Sequence, residues 1–172
     1  DLMAKMGGPN GVIRQTEFFL YTKNDRETLD RCRELNHSFP ECTGWIRAVK
    51  SDFRLVKEAG LKETGMLTSC SDYHIFNKLK FASRQACMDA YCEVVDAAFE
   101  AGVRPRCHLE DATRADFEGF VLPFVERLMR MSEQVPEEQS VKIRICDTMG
   151  FGVHYPGVEL TRSVPKMIYK MN

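Results

Sequence analysis

The sequence predicts an α/β protein with parallel strands wound as a (β/α) barrel. Three observations predict it. Strand-like and helix-like segments alternate repeatedly along the chain with no hairpin signal, which calls for right-handed crossovers and a parallel sheet. No Gly-x-Gly-x-x-Gly turn follows the first strand, as a dinucleotide-binding open sheet would carry. Polar residues recur instead at strand carboxyl ends: Glu17, Arg47, Thr68 with Ser69, Glu110, and Asp147 with Thr148. Barrel enzymes build their sites from many strand ends, whereas an open sheet gathers ligand groups mainly at its switch point.

Each element has a local reason. "GVIRQTEFF" reads as the first strand, and "DRETLDRCRELN" as a helix with Asp25 as its N-cap. "CTGWIRAV" is the second strand; "SDFRLVKEAG" is a helix capped by Ser51 and stopped by Gly60. "LKETGMLTS" is the third strand and leads into "SDYHIFNKLK", one or two irregular helical turns. Ser83 caps a long helix whose apolar face is Ala86, Met88, Ala90, Tyr91, Val94, Val95, Ala98 and Phe99, and Gly102 ends it. "VRPRCHLED" is the fourth strand. In the helix "ADFEGFVLPFVERLMRMSEQ", Pro123 predicts a kink or a late start. "SVKIRICDTMG" is the fifth strand, and Pro165 sits in the first turn of a last helix, "ELTRSVPKMIYKM".

Composition excludes several classes. The 172 residues suit one domain with a sizeable core, and a formal net charge of -1 without a basic stripe argues against nucleic acid. No apolar run is long enough for a membrane span, and no signal peptide is visible. The 7 cysteines have no Cys-x-x-Cys spacing and sit partly in apolar runs, so buried free thiols and a cytoplasmic location are expected.

The candidate chemistry lies at the strand ends. In "RCHLED" the two-residue period puts Arg106, His108 and Glu110 on one face and Cys107 with Leu109 on the other. Glu110 at the top could act as a general base, hold a water or orient a hydroxyl. For Asp111 and Arg114 an ion pair beside the next helix is the plainer reading. "CDTMGFG" brings Asp147 and Thr148 with Gly150 and Gly152, glycines that let backbone approach a ligand closely. "SCSDYHIFNKL" places His74 directly after a strand, a stronger position than His37 in an exposed turn. His74 and His108 gain weight only as a pair on neighbouring strands. Trp45 reads as core, and Arg47, on its face, could meet a carboxylate.

Three motifs, in this order and spacing, resemble the catalytic barrel of the 2-isopropylmalate synthase and homocitrate synthase family: "SDYHIFNKLK", "HLEDATRAD" and "ICDTMGFG". The family's counterparts are Ser-Asp-x-His with a lysine four residues on, Glu-Asp-x-x-Arg-x-Asp, and Asp-Thr-x-Gly-Tyr. The resemblance implies a (β/α)8 TIM barrel of which strands two to six are present, residues 11–18 being strand two and 141–147 strand six. Residues 1–172 would then be a single partial catalytic domain of the pyruvate carboxyltransferase type, cut at both ends, with "DLMAKMGG" the tail of helix one.

Its implied chemistry is a Claisen-type condensation of acetyl-CoA with a 2-oxo acid. A divalent metal (Mg, Mn or Zn) would be held by first- and seventh-strand ligands that this chain lacks. Glu110 would be the catalytic glutamate near the reacting centre, and Thr148 would contact the oxo-acid carboxylate. His108 stands where the family often has serine, so the acceptor stays open among 2-oxoisovalerate, 2-oxoglutarate, pyruvate and oxaloacetate, a citrate-forming relative included. His74 and Arg47 complete the substrate-binding candidates. A homodimer is expected by the same resemblance. The alternatives are a carbon–carbon lyase or aldolase of the same superfamily and a non-catalytic fragment.

Overall fold

The computed structural model describes residues 1–8 and 11–172. Helix α1 (Leu2–Gly7) precedes strand β1 (Gln15–Phe19) and helix α2 (Lys23–Glu34). Then come β2 (Glu41–Arg47), α3 (Phe53–Glu58), β3 (Glu63–Ser69), α4 (Arg84–Glu100), β4 (Arg104–Glu110), α5 (Leu122–Ser132), β5 (Lys142–Ile145) and α6 (Val164–Met171). The strands form one 5-stranded sheet in the order β1-β2-β3-β4-β5, every pair parallel.

That order separates the two architectures the alternation allowed. An open doubly wound sheet reverses its direction of growth and covers both faces with helices. Here the sheet grows one way, and one face takes the helices. Ile46, Met66, Cys107 and Leu109 are fully buried in one cluster with Leu29, Val56, Cys87, Val95, Phe120, Phe124 and Leu128 from the helical layer. Alternate strand residues, Trp45, Gly65, Arg106 and His108, meet one another on the opposite face. This is the winding of a (β/α) barrel, five strands of it. Full burial of a side chain such as Phe124 or Leu128 contributes about 1.5–3 kcal/mol. An exposed ion pair such as Lys23–Glu27, 3.5 Å apart, adds at most about 1 kcal/mol. The apolar layer therefore holds helices to sheet.

The caps follow chemistry, with two corrections. Thr22, not Asp25, caps α2: its Oγ1 accepts from the Asp25 amide at 3.1 Å, and the Asp25 carboxylate accepts from the Thr22 amide at 2.8 Å. Asp25 is thus the third helical residue of a reciprocal capping box. Replacing Thr22 with alanine is expected to cost about 1 kcal/mol, read as a lower thermal midpoint; an unchanged midpoint would show that α2 is held by packing alone. Ser51 caps nothing; a 3₁₀ turn at Lys50–Asp52 leads into α3 with no side-chain cap. Ser83 does cap α4, its Oγ accepting from the Ala86 amide at 3.0 Å. Gly60 and Gly102 end their helices at φ +63 and +68.

The strand anticipated at 11–18 starts later. Gly11 still turns at φ +61 and Val12 is exposed, so pairing begins at Gln15. "SDYHIFNKLK" becomes a π turn over Tyr73–Lys78, and Pro123 marks a late start: a π turn at Phe117–Val121 precedes α5, with the proline in its first turn. Among the described residues no helix is long and apolar enough to cross a membrane. All seven cysteines are free thiols, with Cys70, Cys87, Cys92 and Cys107 buried.

Candidate functional site

The concave face carries two polar layers. The lower one centres on Arg106, only 2% exposed. Register places β4 between β3 and β5, with Arg106 opposite Gly65 and Lys142. Its guanidinium reaches Gln15 and Glu17 on β1, Thr43 on β2, Glu63 on β3 and His108 on its own strand. Lys142 Nζ joins Glu63 at 2.6 Å, and Arg144 Nη1 joins Glu17 at 3.0 Å. Burial would raise the Glu17 carboxyl, yet its contacts with His108, Arg106 and Arg144 hold it down at about 2. His108 is 4% exposed, and burial depresses its pKa against the pull of Glu17. Its ring meets Trp45 edge-on at 4.3 Å. Gly65 makes that stack possible, since a Cβ there would lie 2.6 Å from Trp45 Cε3 and 2.9 Å from His108 Nε2. Trp45 was expected in the core; it instead shapes this concave face, because the period of two turns it away from Ile46.

The upper layer is the rim. Glu110 ends β4 level with Ser69, whose hydroxyl donates to its Oε2. The same oxygen lies 3.5 Å from His74 Nε2 and 3.8 Å from Lys78 Nζ. The π turn delivers both side chains, placing positions 74 and 78 over the end of the neighbouring strand. Ser71 donates to Asp111 Oδ2 at 2.6 Å, so its remaining partner, His74 Nδ1 at 2.8 Å, must donate to it. His74 Nδ1 therefore carries a proton, and Nε2 addresses Glu110.

Asp111 is fully buried in a left-handed backbone turn at φ +65, with both oxygens taken by Arg114 and one also by Ser71. Although burial opposes it, Arg114 and Ser71 keep the Asp111 carboxyl below its ordinary range. The Asp111 amide donates to Thr148 Oγ1 at 2.8 Å. That leaves the exposed Thr148 hydroxyl its own hydrogen to offer a ligand. Asp147 organises the loop instead: it accepts from Thr113 Oγ1 at 2.8 Å and from the Phe151 and Gly152 amides at 2.9 Å.

Glu110, His74 and Thr148 thus gather at one strand-end rim, Thr148 through the Asp111 amide. His108 lies one layer below, so the anticipated pairing of His74 with His108 is not formed; His74 turns to Glu110 and Asp111. Glu110 does not share Arg114 with Asp111. Arg47 meets a carboxylate from its own chain: its Nε and Nη2 fork onto Asp52 at 3.0 and 3.1 Å, apart from the rim. Thr68 turns away and donates to the His108 carbonyl at 2.9 Å. Sequence reasoning missed Arg106 as the hub and Glu63 as its partner. The alternation through Arg106, His108 and Glu110 was the available signal.

A metal finds no ready-made set here. Among the described residues no three His, Cys, Asp or Glu side chains converge as ligands. At the rim, Asp111 accepts from Arg114 and Ser71, and Glu110 from Ser69.

The low pKa of the carboxylates makes stability depend on pH. A carboxyl depressed in the fold stabilises it fully above the unfolded value, 4.5 for Glu17 and 3.8 for Asp111 and Asp72. That contribution is lost as pH falls toward about 2, the folded value of Glu17. His108, depressed from 6.5, adds the same sign, since the unfolded chain takes up its proton first. The thermal midpoint should fall from about pH 6.5 downward, most steeply below about pH 4.5. A flat midpoint from pH 7 to 3 would contradict the depressed carboxylates.

Comparison with known proteins gives relatives along the chain. A family model described as HMGL-like matches residues 18–165. The chain is 55% identical over 169 residues to the citrate (Re)-synthase of Clostridium kluyveri, covering 98% of this chain and 37% of that protein. It is 54% identical over 168 residues to the citrate (Re)-synthase of Syntrophus aciditrophicus, covering 98% and 26%. It is 39% identical over 170 residues to the 2-phosphinomethylmalate synthase of Streptomyces hygroscopicus, covering 98% and 38%. The chain therefore spans between 26% and 38% of the length of these curated relatives.

Proposed function

We propose that this chain, which belongs to the HMGL-like family among the 2-isopropylmalate and homocitrate synthase group, forms the middle of the catalytic barrel of an acetyl-CoA:2-oxo acid acyltransferase. Residues 1–172 would be one continuous part of that barrel. The acceptor we assign is oxaloacetate, with citrate as product, on the strength of the two citrate (Re)-synthases. The observation that carries the reading is the rim itself, where Ser69, His74 and Lys78 converge on Glu110.

In this reading the methyl of acetyl-CoA loses a proton, its carbon adds to the ketone of the oxo acid, and water then releases CoA. Glu110 is the group placed to hold or move a proton at that centre. Lys78 Nζ at 3.8 Å and His74 Nε2 at 3.5 Å flank it. Thr148 offers its free hydroxyl hydrogen to the acceptor's carboxylate, and His108 faces the acceptor from below. A divalent metal would polarise the acceptor's carbonyl. Its ligands, in our reading, belong to parts of the barrel beyond this chain, because the donors described above are otherwise engaged.

The test is CoA release by the full-length protein with acetyl-CoA, Mg²⁺ or Mn²⁺, and a panel of oxaloacetate, 2-oxoglutarate, 2-oxoisovalerate and pyruvate. Oxaloacetate is expected to be used with the highest kcat/KM. Preference for another acceptor would reassign the substrate, and no CoA release with any of them would overturn the synthase reading.

A further inference from the structure

We propose, on the reading of the barrel mouth given above, that Arg106 is a positioning residue which holds His108 with its ring proton on Nδ1. His108 is then a fixed hydrogen-bond donor toward the mouth, matched to a carboxylate or carbonyl oxygen of the 2-oxo acid.

A guanidinium has five N–H bonds and accepts nothing. Arg106 directs two from Nη1 to Gln15 and Glu63, and two from Nη2 to Glu17 and to Thr43 Oγ1 at 3.2 Å. The fifth, on Nε, points at His108 Nε2, 3.1 Å away. All five are used, so Arg106 has no donor left for a substrate. His108 Nε2 must present a lone pair to receive the last one, and the ring proton must sit on Nδ1.

Glu17 asks for the opposite, since its Oε1 lies 3.3 Å from the same Nε2 and would accept a proton there. The two demands are unequal. A proton on Nε2 would face the Arg106 N–H and orphan a donor on a buried cation, the costlier loss. Glu17 gives up the His108 contact that helps hold its carboxyl low, but its Oε1 still accepts from Arg106 and from Arg144. Burial also keeps the ring neutral, and only a neutral ring has a tautomer to choose. Trp45, seated edge-on in the notch left by Gly65, fixes the ring plane. Nδ1 is turned toward Cys146, whose sulfur is 4.0 Å away and which directly precedes Asp147 and Thr148. The donor therefore faces the rim where Thr148 offers its own.

Ring ¹⁵N resonances of His108 in the full-length protein, assigned by their absence in a His108 variant, test the tautomer directly. The expected pattern is a neutral ring protonated at Nδ1. Arg106→Lys keeps the charge but removes the Nε–H; it should release the ring to Nε2 protonation or exchange. It should also raise KM for the oxo acid about tenfold, with a smaller change in kcat. The amide of His108→Asn carries its N–H near the place of Nδ1–H, whereas His108→Gln carries it near Nε2. The asparagine variant should bind the oxo acid about tenfold better than the glutamine variant.

A wild-type ring protonated at Nε2, or glutamine outperforming asparagine, would overturn the inference. Should Arg106→Lys fail to fold, the wild-type spectrum and the Asn/Gln pair still decide. Nε2 protonation in a protein that does use a 2-oxo acid would overturn the tautomer alone. Nδ1 protonation in a protein that binds none would overturn the reading of the mouth and, with it, the donor role.

Discussion

Replacing Glu110 with glutamine is expected to lower turnover by about 10²–10⁴-fold while leaving the fold in place. The substitution is nearly isosteric, and a glutamine oxygen can still accept from Ser69 Oγ. What it removes is a carboxylate facing His74 Nε2 at 3.5 Å and Lys78 Nζ at 3.8 Å, and with it a group able to take a proton. Fold retention has a physical basis: the neighbouring Asp111, not Glu110, binds Arg114 and Ser71 and donates its amide to Thr148. CoA release and the thermal midpoint should be measured together on the full-length protein. A loss below tenfold with an unchanged midpoint would remove Glu110 from the proton-handling role. A large loss accompanied by a fallen midpoint would make it a support of the rim.

The largest stability effect should come from Arg106→Met, about 3 kcal/mol and up to about 5 kcal/mol. A buried ion pair is weak grounds for net stability, because both charges gave up water to form it. Removing only one partner is different, since the desolvated groups left behind have no replacement. Arg106→Met strands the acceptors of Gln15, Glu17, Glu63, Thr43 and His108 together. Lys142 still reaches Glu63 and Arg144 still reaches Glu17, which places the loss nearer the lower figure. Urea unfolding of the wild type and variant measures it. A difference under about 1 kcal/mol would mean that water reaches the layer readily.

Glu110 was legible because its position needed only the end of one strand and a charge where a buried strand stops. Thr148 was singled out by the resemblance of "ICDTMGFG" to the family motif, since the strand end alone reads as a turning loop. The pairing of Asp111 with Arg114 was local, three residues apart along the chain. Arg106 was not legible as a hub. Its partners are 91, 89, 63 and 43 residues away on three other strands, and only the register of three parallel ladders brings them to one point. The proposed pairing of His74 with His108 failed on a similar ground. Adjacent strands put the two histidines on one side of the sheet, but His74 stands above the rim on a π turn while His108 stays inside the strand.

By itself the sequence determined the fold class, since alternating periods of two and near 3.6, without hairpin turns, leave parallel βαβ winding as the way to bury every apolar face. It also determined which strand ends carry charge, and, through three ordered motifs, the family. Tertiary structure alone decided which of those charges act together. Side-chain direction along one strand follows a local rule, but the level at which strands align follows from the packing of all of them. Two groups on different strands become partners only when that alignment brings them within about 3 Å of each other. That is why Glu110 could be named from its own strand, while the donor count that sets the proton on His108 required four strands and a glycine at the right height.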